Sequence, residues 1–114
     1  MLFLGIDLIS KLFYYYVILI LETNSCIMIY MLCRNRVKDF TKWKEIFDSQ
    51  IRLQEDSGLI LKDLWTELDD VNNVFFIFEV TNMQKAKELI NDPESAKIGE
   101  HSGVIDGECH FITK

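Results

Sequence analysis

Two histidines, one asparagine and a set of aromatic and sulfur-bearing side chains carry the most evident chemistry in this sequence. His101 and His110 are its only histidines. An imidazole changes charge near neutral pH, so His101 could accept the proton of an acidic ligand group. Asn35, in Cys33-Arg34-Asn35-Arg36, could hold a ligand oxygen by a hydrogen bond without adding charge. Phe76, Phe78, Met31 and Cys33 could form apolar walls if those strand faces point inward. Trp65 alternates with Asp63 and Glu67 and suits a pocket mouth or a subunit edge. Plainer readings stand beside these: Asn35 as a strand end, His110 as a strand residue, Trp43 as core. His101, just before Ser102-Gly103, also suits a helix C-terminus, where the helix dipole favours it.

Other chemistries lack their residues. Cys26, Cys33 and Cys109 are odd in number and form no C-x-x-C pair, so neither a zinc site nor a disulfide framework is expected, and the three are read as reduced thiols. The histidines have no neighbouring cysteine or carboxylate pair that would make a metal site. A Gly-rich phosphate loop, a G-x-S-x-G elbow and an H-E-x-x-H helix are all missing from the sequence, which argues against nucleotide chemistry, serine hydrolysis and zinc proteolysis. The net charge is −6 with basic residues scattered, so nucleic acid is not an expected partner.

The elements that must position these groups follow from periodicity. Residues 27–33 form a continuous apolar, β-rich run read as a strand buried on both faces. From Val37 the period becomes helical: Phe40, Trp43, Ile46, Phe47 and Ile51, with Gln50 as a further candidate, lie on one stripe, and Gly58 is the expected stop. Residues 59–68 and 74–80 read as a hairpin around the turn-rich Asp69-Asp70-Val71-Asn72-Asn73. Thr81 to Gln84 has the form of a capping box with Thr81 as the cap. Asp92-Pro93 suits a second helix start running to about His101. Gly103 ends that helix, and a last strand follows over 104–112 with Gly107 expected at a bulge.

The order β-α-β-β-α-β predicts an α+β, ferredoxin-like domain with helices on one face of a four-stranded antiparallel sheet. A right-handed crossover is expected to set the first and third strands parallel. The first and third strands do not alternate apolar with polar residues, so the face away from the helices needs a cover. A second copy of the same sheet related by a two-fold axis supplies one, and the predicted partner is therefore the chain itself, as a homodimer.

Residues 1–27 fall outside this pattern. Leu12 to Leu21 is an unbroken apolar run of ten, shorter than the roughly 20 residues needed to cross a bilayer. Three readings stay open: an extension upstream of a start at Met28, a membrane-associating anchor, or an apolar segment docked on the sheet. The expected domain is residues 28–114, and membrane association is expected only if the segment is an anchor.

Val37-Lys-Asp-Phe-Thr-Lys-Trp-Lys-Glu-Ile-Phe-Asp48 after an apolar strand, Asp69-Asp-Val-Asn-Asn-Val74 before Phe76-Ile-Phe-Glu79, and Pro93-Glu-Ser-Ala96 in the second helix resemble the antibiotic-biosynthesis-monooxygenase-like branch of the dimeric α+β-barrel superfamily. The resemblance covers about residues 28–113. It implies a dimeric α+β barrel and an activity drawn from cofactor-free oxygenases of polycyclic phenols, haem-degrading enzymes, isomerases and members without assigned activity. Similarity to the haem-degrading members would put Asn35 at their asparagine, His101 near their axial histidine, and Phe78 where they carry a tryptophan. The reading this implies is a cytoplasmic homodimer with a pocket for a small aromatic or phenolic ligand, acting as a cofactor-free monooxygenase. His101 and Asn35 would do the chemistry, and Phe76, Phe78 and Trp65 would bind the substrate. The alternatives are a haem-binding or haem-degrading protein and a non-catalytic ligand-binding or structural dimer.

Overall fold

In a computed structural model, residues 27–114 are described; the readings of residues 1–26, Cys26 included, lie outside them. The chain runs β1 (Ile29–Val37), α1 (Phe40–Ser49), α2 (Ile51–Asp56), β2 (Leu59–Glu67), β3 (Asp70–Val80), α3 (Met83–Ile90), α4 (Pro93–His101) and β4 (Val104–Thr113). The sheet order is β2-β3-β1-β4 with every neighbouring pair antiparallel. The parallel pairing expected between the first and third strands is corrected: the tight β2–β3 hairpin reverses the chain, so the strand parallel to β1 is β2, which β3 separates from it. Among the described residues no helix is long and apolar enough to cross a membrane.

One face of the sheet packs on the helices. Met31, Cys33 and Val37 of β1 and Val74, Phe76 and Phe78 of β3 are buried there, at alternate positions as the pleat requires. Trp43 and Phe47, one helical turn apart on α1, press onto them. The two rings stack at 4.6 Å, and Phe47 meets Phe76 edge-on at 5.1 Å. Ala86 of α3 is fully buried beside this cluster.

Local signals explain most element ends. Asp39 caps α1 by accepting from the Thr41 amide, and Asp92 caps α4 by accepting from the Glu94 amide with Pro93 at the first helical position, as its sequence suggested. The long first helix is in fact interrupted at Gln50, and α2 then ends before Gly58, whose φ is +79°. A Cβ at Gly58 would also lie 2.7 Å from the Asn82 amide nitrogen, so this stop needs glycine for space as well as conformation. The expected capping box is replaced by a simple cap one residue later: Thr81 donates its amide to Gly58 and completes the strand end, and Asn82 caps α3 by accepting from the Lys85 amide. The bulge expected at Gly107 is displaced too. Gly107 pairs directly with Asn35, and the β1–β4 register shifts between Arg36 and Val37.

Three cysteines read as free thiols prove otherwise for two of them. Cys33 and Cys109 are direct partners in the β1–β4 register and are joined as a disulfide across 76 residues of sequence. Nothing in that spacing announces the pair, because only the strand register brings the two together.

Candidate functional site

Between the sheet and the helices lies a cavity of about 350 Å³, at the small end of the roughly 300–1,000 Å³ of ligand pockets. Its floor is the helix-side face of the sheet: Met31, the Cys33–Cys109 disulfide, Phe76 and Phe78. Asn35 lies farther along β1 in the same lining. Gly107 lies opposite Asn35 and makes room for it, since a Cβ there would collide with Oδ1 of the asparagine and sit 2.8 Å from the Arg34 carbonyl oxygen.

The walls come from helices. Trp43, Phe47, Gln50 and Gln54 continue as one stripe from α1 into α2, at spacings of four, three and four residues. On α4 the lining face is Ser95, Ile98 and Gly99, with Ser102 just beyond. Ser95 and Ser102 turn their hydroxyls back to the carbonyls of Leu89 and Gly99, both at 2.7 Å, so their protons are already engaged.

Of the residues singled out from sequence, Asn35, Phe76 and Phe78 come together in this lining. His101 does not. It lies about a third of a turn off the α4 stripe and is exposed at the helix end, the position the plainer reading gave it. Trp65 is absent from the lining, which leaves the subunit-edge reading and not the pocket mouth. The β2 register shifts between Leu61 and Asp63, which sets Trp65 opposite Phe75 on the face away from the helices, 49% exposed. With His101 gone, the lining, among the described residues, contains no carboxylate, histidine, lysine, arginine or tyrosine, so these residues supply no general base. Among the described residues the lining does not fit haem either: it contains no histidine or tyrosine to ligate the iron, and Cys33 and Cys109 are bonded to each other.

The charged groups collect instead on the opposite face of the sheet. Arg34 bonds Asp106 at 2.8 Å, Asn73 at 3.0 Å and Glu108 at 3.2 Å, and His110 meets the second oxygen of Glu108 at 2.8 Å. The His110 hydrogen bond, then that of Arg34, holds the Glu108 carboxyl below its usual range. Arg36, then the Asn72 amide, does the same for Asp70. The acceptors raise the Arg34 guanidinium, Asp106 first and Glu108 next. A carboxyl lowered on folding adds stability above its unfolded pKa and loses it as pH falls through the folded value. Glu108→Gln is therefore expected to flatten the fall in stability as the pH drops below the ordinary range of a glutamate. Urea unfolding at several pH values measures this, and an unchanged slope would rule the coupling out.

No family model matches this sequence, and no curated protein does. Solved structures do. A variant of SnoaB, a cofactor-independent oxygenase from Streptomyces nogalater, superposes with a TM-score of 0.60 at 14% identity over 76% of this chain and 92% of its own. An antibiotic biosynthesis monooxygenase gives 0.57 at 13% over 75% and 96%. A NIPSNAP family protein from Agrobacterium tumefaciens gives 0.57 at 15% over 76% and 87%. At these identities what is shared is architecture, and the chain has the ferredoxin-like α+β fold of the antibiotic-biosynthesis-monooxygenase-like proteins.

Proposed function

We propose that the chain is a homodimer joined through the open faces of its two sheets, with one apolar pocket per subunit for a small, neutral phenol or quinol. The observation that carries the reading is the cavity lining, apolar over the floor and provided only with uncharged polar groups, chiefly Asn35, Gln50 and Gln54. A charged ligand would lose its hydration there without gaining a counter-ion. A flat aromatic ring meets Phe76, Phe78 and Trp43, while Asn35 is placed to bond its oxygen.

Oxygenation without a cofactor is the activity that the likeness to SnoaB supports. The substrate then supplies all the electrons. One oxygen atom of O2 enters the ring as a quinone carbonyl, and the other leaves as water with the displaced ring hydrogen and the phenolic hydrogen. Because the described residues of the lining include no base and an apolar site disfavours an anion, the substrate must be electron-rich enough to react with O2 as the neutral phenol or quinol. A non-catalytic binding protein is the second reading, favoured by that same missing base. The cytoplasmic location expected from sequence carries a condition, since the thiol pool there would keep Cys33 and Cys109 reduced. Thiol trapping in freshly broken cells reads which form is present.

Titration of the full chain with 1-naphthol tests the site, because Trp43 in the cavity wall should be quenched on binding while exposed Trp65 is not. One O2 consumed per quinone formed, with one labelled oxygen incorporated, supports the oxygenase. Saturable quenching without oxygen uptake selects the binding protein, and no quenching removes the site.

A further inference from the structure

Among the described residues one buried side-chain polar atom has no hydrogen-bond partner, Oε1 of Gln54, and Gln54 belongs to the cavity lining. A stranded buried acceptor costs on the order of the desolvation of its carbonyl, and folded proteins keep few of them without a reason. Three other polar side chains of the lining are already engaged. The hydroxyls of Ser95 and Ser102 are spent on backbone carbonyls, and the Gln50 side chain donates to Ser49. The backbone of Gln54 is fixed by its amide bond to the Gln50 carbonyl, 2.9 Å, so only the side chain is free to adjust.

We infer that Gln54 is the residue that selects ligands carrying a hydroxyl or N–H donor, by accepting that proton at Oε1. The inference rests on the cavity being a ligand site, as proposed above. The last torsion of a glutamine side chain is soft, so a small turn of the carboxamide presents the oxygen to the cavity when a donor arrives. Asn35 is on the sheet and Gln54 on α2, so a ligand can be held from both sides. A neutral ligand of two fused rings with a hydroxyl is the matching chemistry. Its methyl ether has the same rings and no proton to give, and leaves Oε1 stranded.

The test compares 1-naphthol with 1-methoxynaphthalene on the full-length protein, by quenching of Trp43, in wild type and in Gln54→Leu. Wild type is expected to prefer 1-naphthol about tenfold. Gln54→Leu should bind both probes equally and hold 1-methoxynaphthalene as tightly as wild type does. Its melting temperature should match or exceed that of wild type, because the unpartnered acceptor is gone. If Gln54→Leu does not fold, Gln54→Met, which keeps the length of the side chain, answers the same question. A tenfold preference that survives in the variant overturns the role of Gln54 and leaves the cavity intact as a ligand site. Failure of both probes to bind wild type overturns the site itself.

Discussion

Replacing Ile77 by glutamate is expected to turn the proposed dimer into a folded monomer at micromolar concentration. Ile77 pairs with Leu32 in the β1–β3 register, and both lie on the sheet face away from the helices. With Tyr30 and Phe75 they make an apolar surface that is only half-buried within the described chain. A carboxylate buried without a partner at the centre of a two-fold interface is introduced twice, and a loss of about 100-fold or more in dimer affinity follows. Sedimentation velocity on wild type and variant measures it. A wild type that is monomeric at micromolar concentration would remove the dimer altogether. The position matters, because Phe76 and Phe78, on either side of Ile77 in β3, both point into the helix-side core at 5% and 2% exposure. Phe76→Glu is expected to unfold the subunit.

Reduction of the Cys33–Cys109 disulfide is expected to lower the unfolding free energy by about 2–4 kcal/mol. The closed loop spans a sequence separation of 76 residues, nearly the whole domain, so opening it returns much conformational freedom to the unfolded chain. Against a total stability of about 5–15 kcal/mol for a domain this size, the loss is large. Guanidinium unfolding with and without dithiothreitol gives the difference, and hydrogen exchange should rise first in β4, which the bond ties to β1. Superimposable unfolding curves would mean that strand pairing alone secures β4.

These two expectations mark what the sequence carried and what it withheld. The element order was legible because Trp43, Phe47 and Ile51 repeat helically, while residues 74–80 form an unbroken β-rich run between turn residues. Both helix stops at glycine and the Asp92-Pro93 start were legible because each follows from one residue's backbone preference. Facing was not legible in the strands that lack alternation. Phe75 and Phe76 are indistinguishable by type, and one bulge in β2 sends Trp65 to the outer face. Asn35, Phe76 and Phe78 meet because they share a sheet face, which antiparallel register fixes. His101 misses the cavity by its place on the helix circumference, a distinction finer than nearness in sequence. Gln54 could have been found: it extends the Trp43, Phe47, Gln50 stripe by one more turn, but a polar residue on an apolar stripe reads as the end of the stripe.

The two outer strands of the described sheet would give the proposed dimer a closed character. β2 is interrupted by its register shift around Lys62, whose ammonium reaches Glu79 at 3.7 Å. β4 carries Asp106, Glu108 and His110 along its length. A bulge, a lysine and a row of charged side chains all discourage a further strand from adding to an edge. Growth of the sheet sideways, which would propagate into a ribbon, is therefore opposed at both ends, while the open face, apolar at Tyr30, Leu32, Phe75 and Ile77 and charged around Arg34, stays available for a single self-complementary contact. A protein arranged this way should stay a discrete particle when concentrated, with light scattering that levels off and does not climb towards filaments.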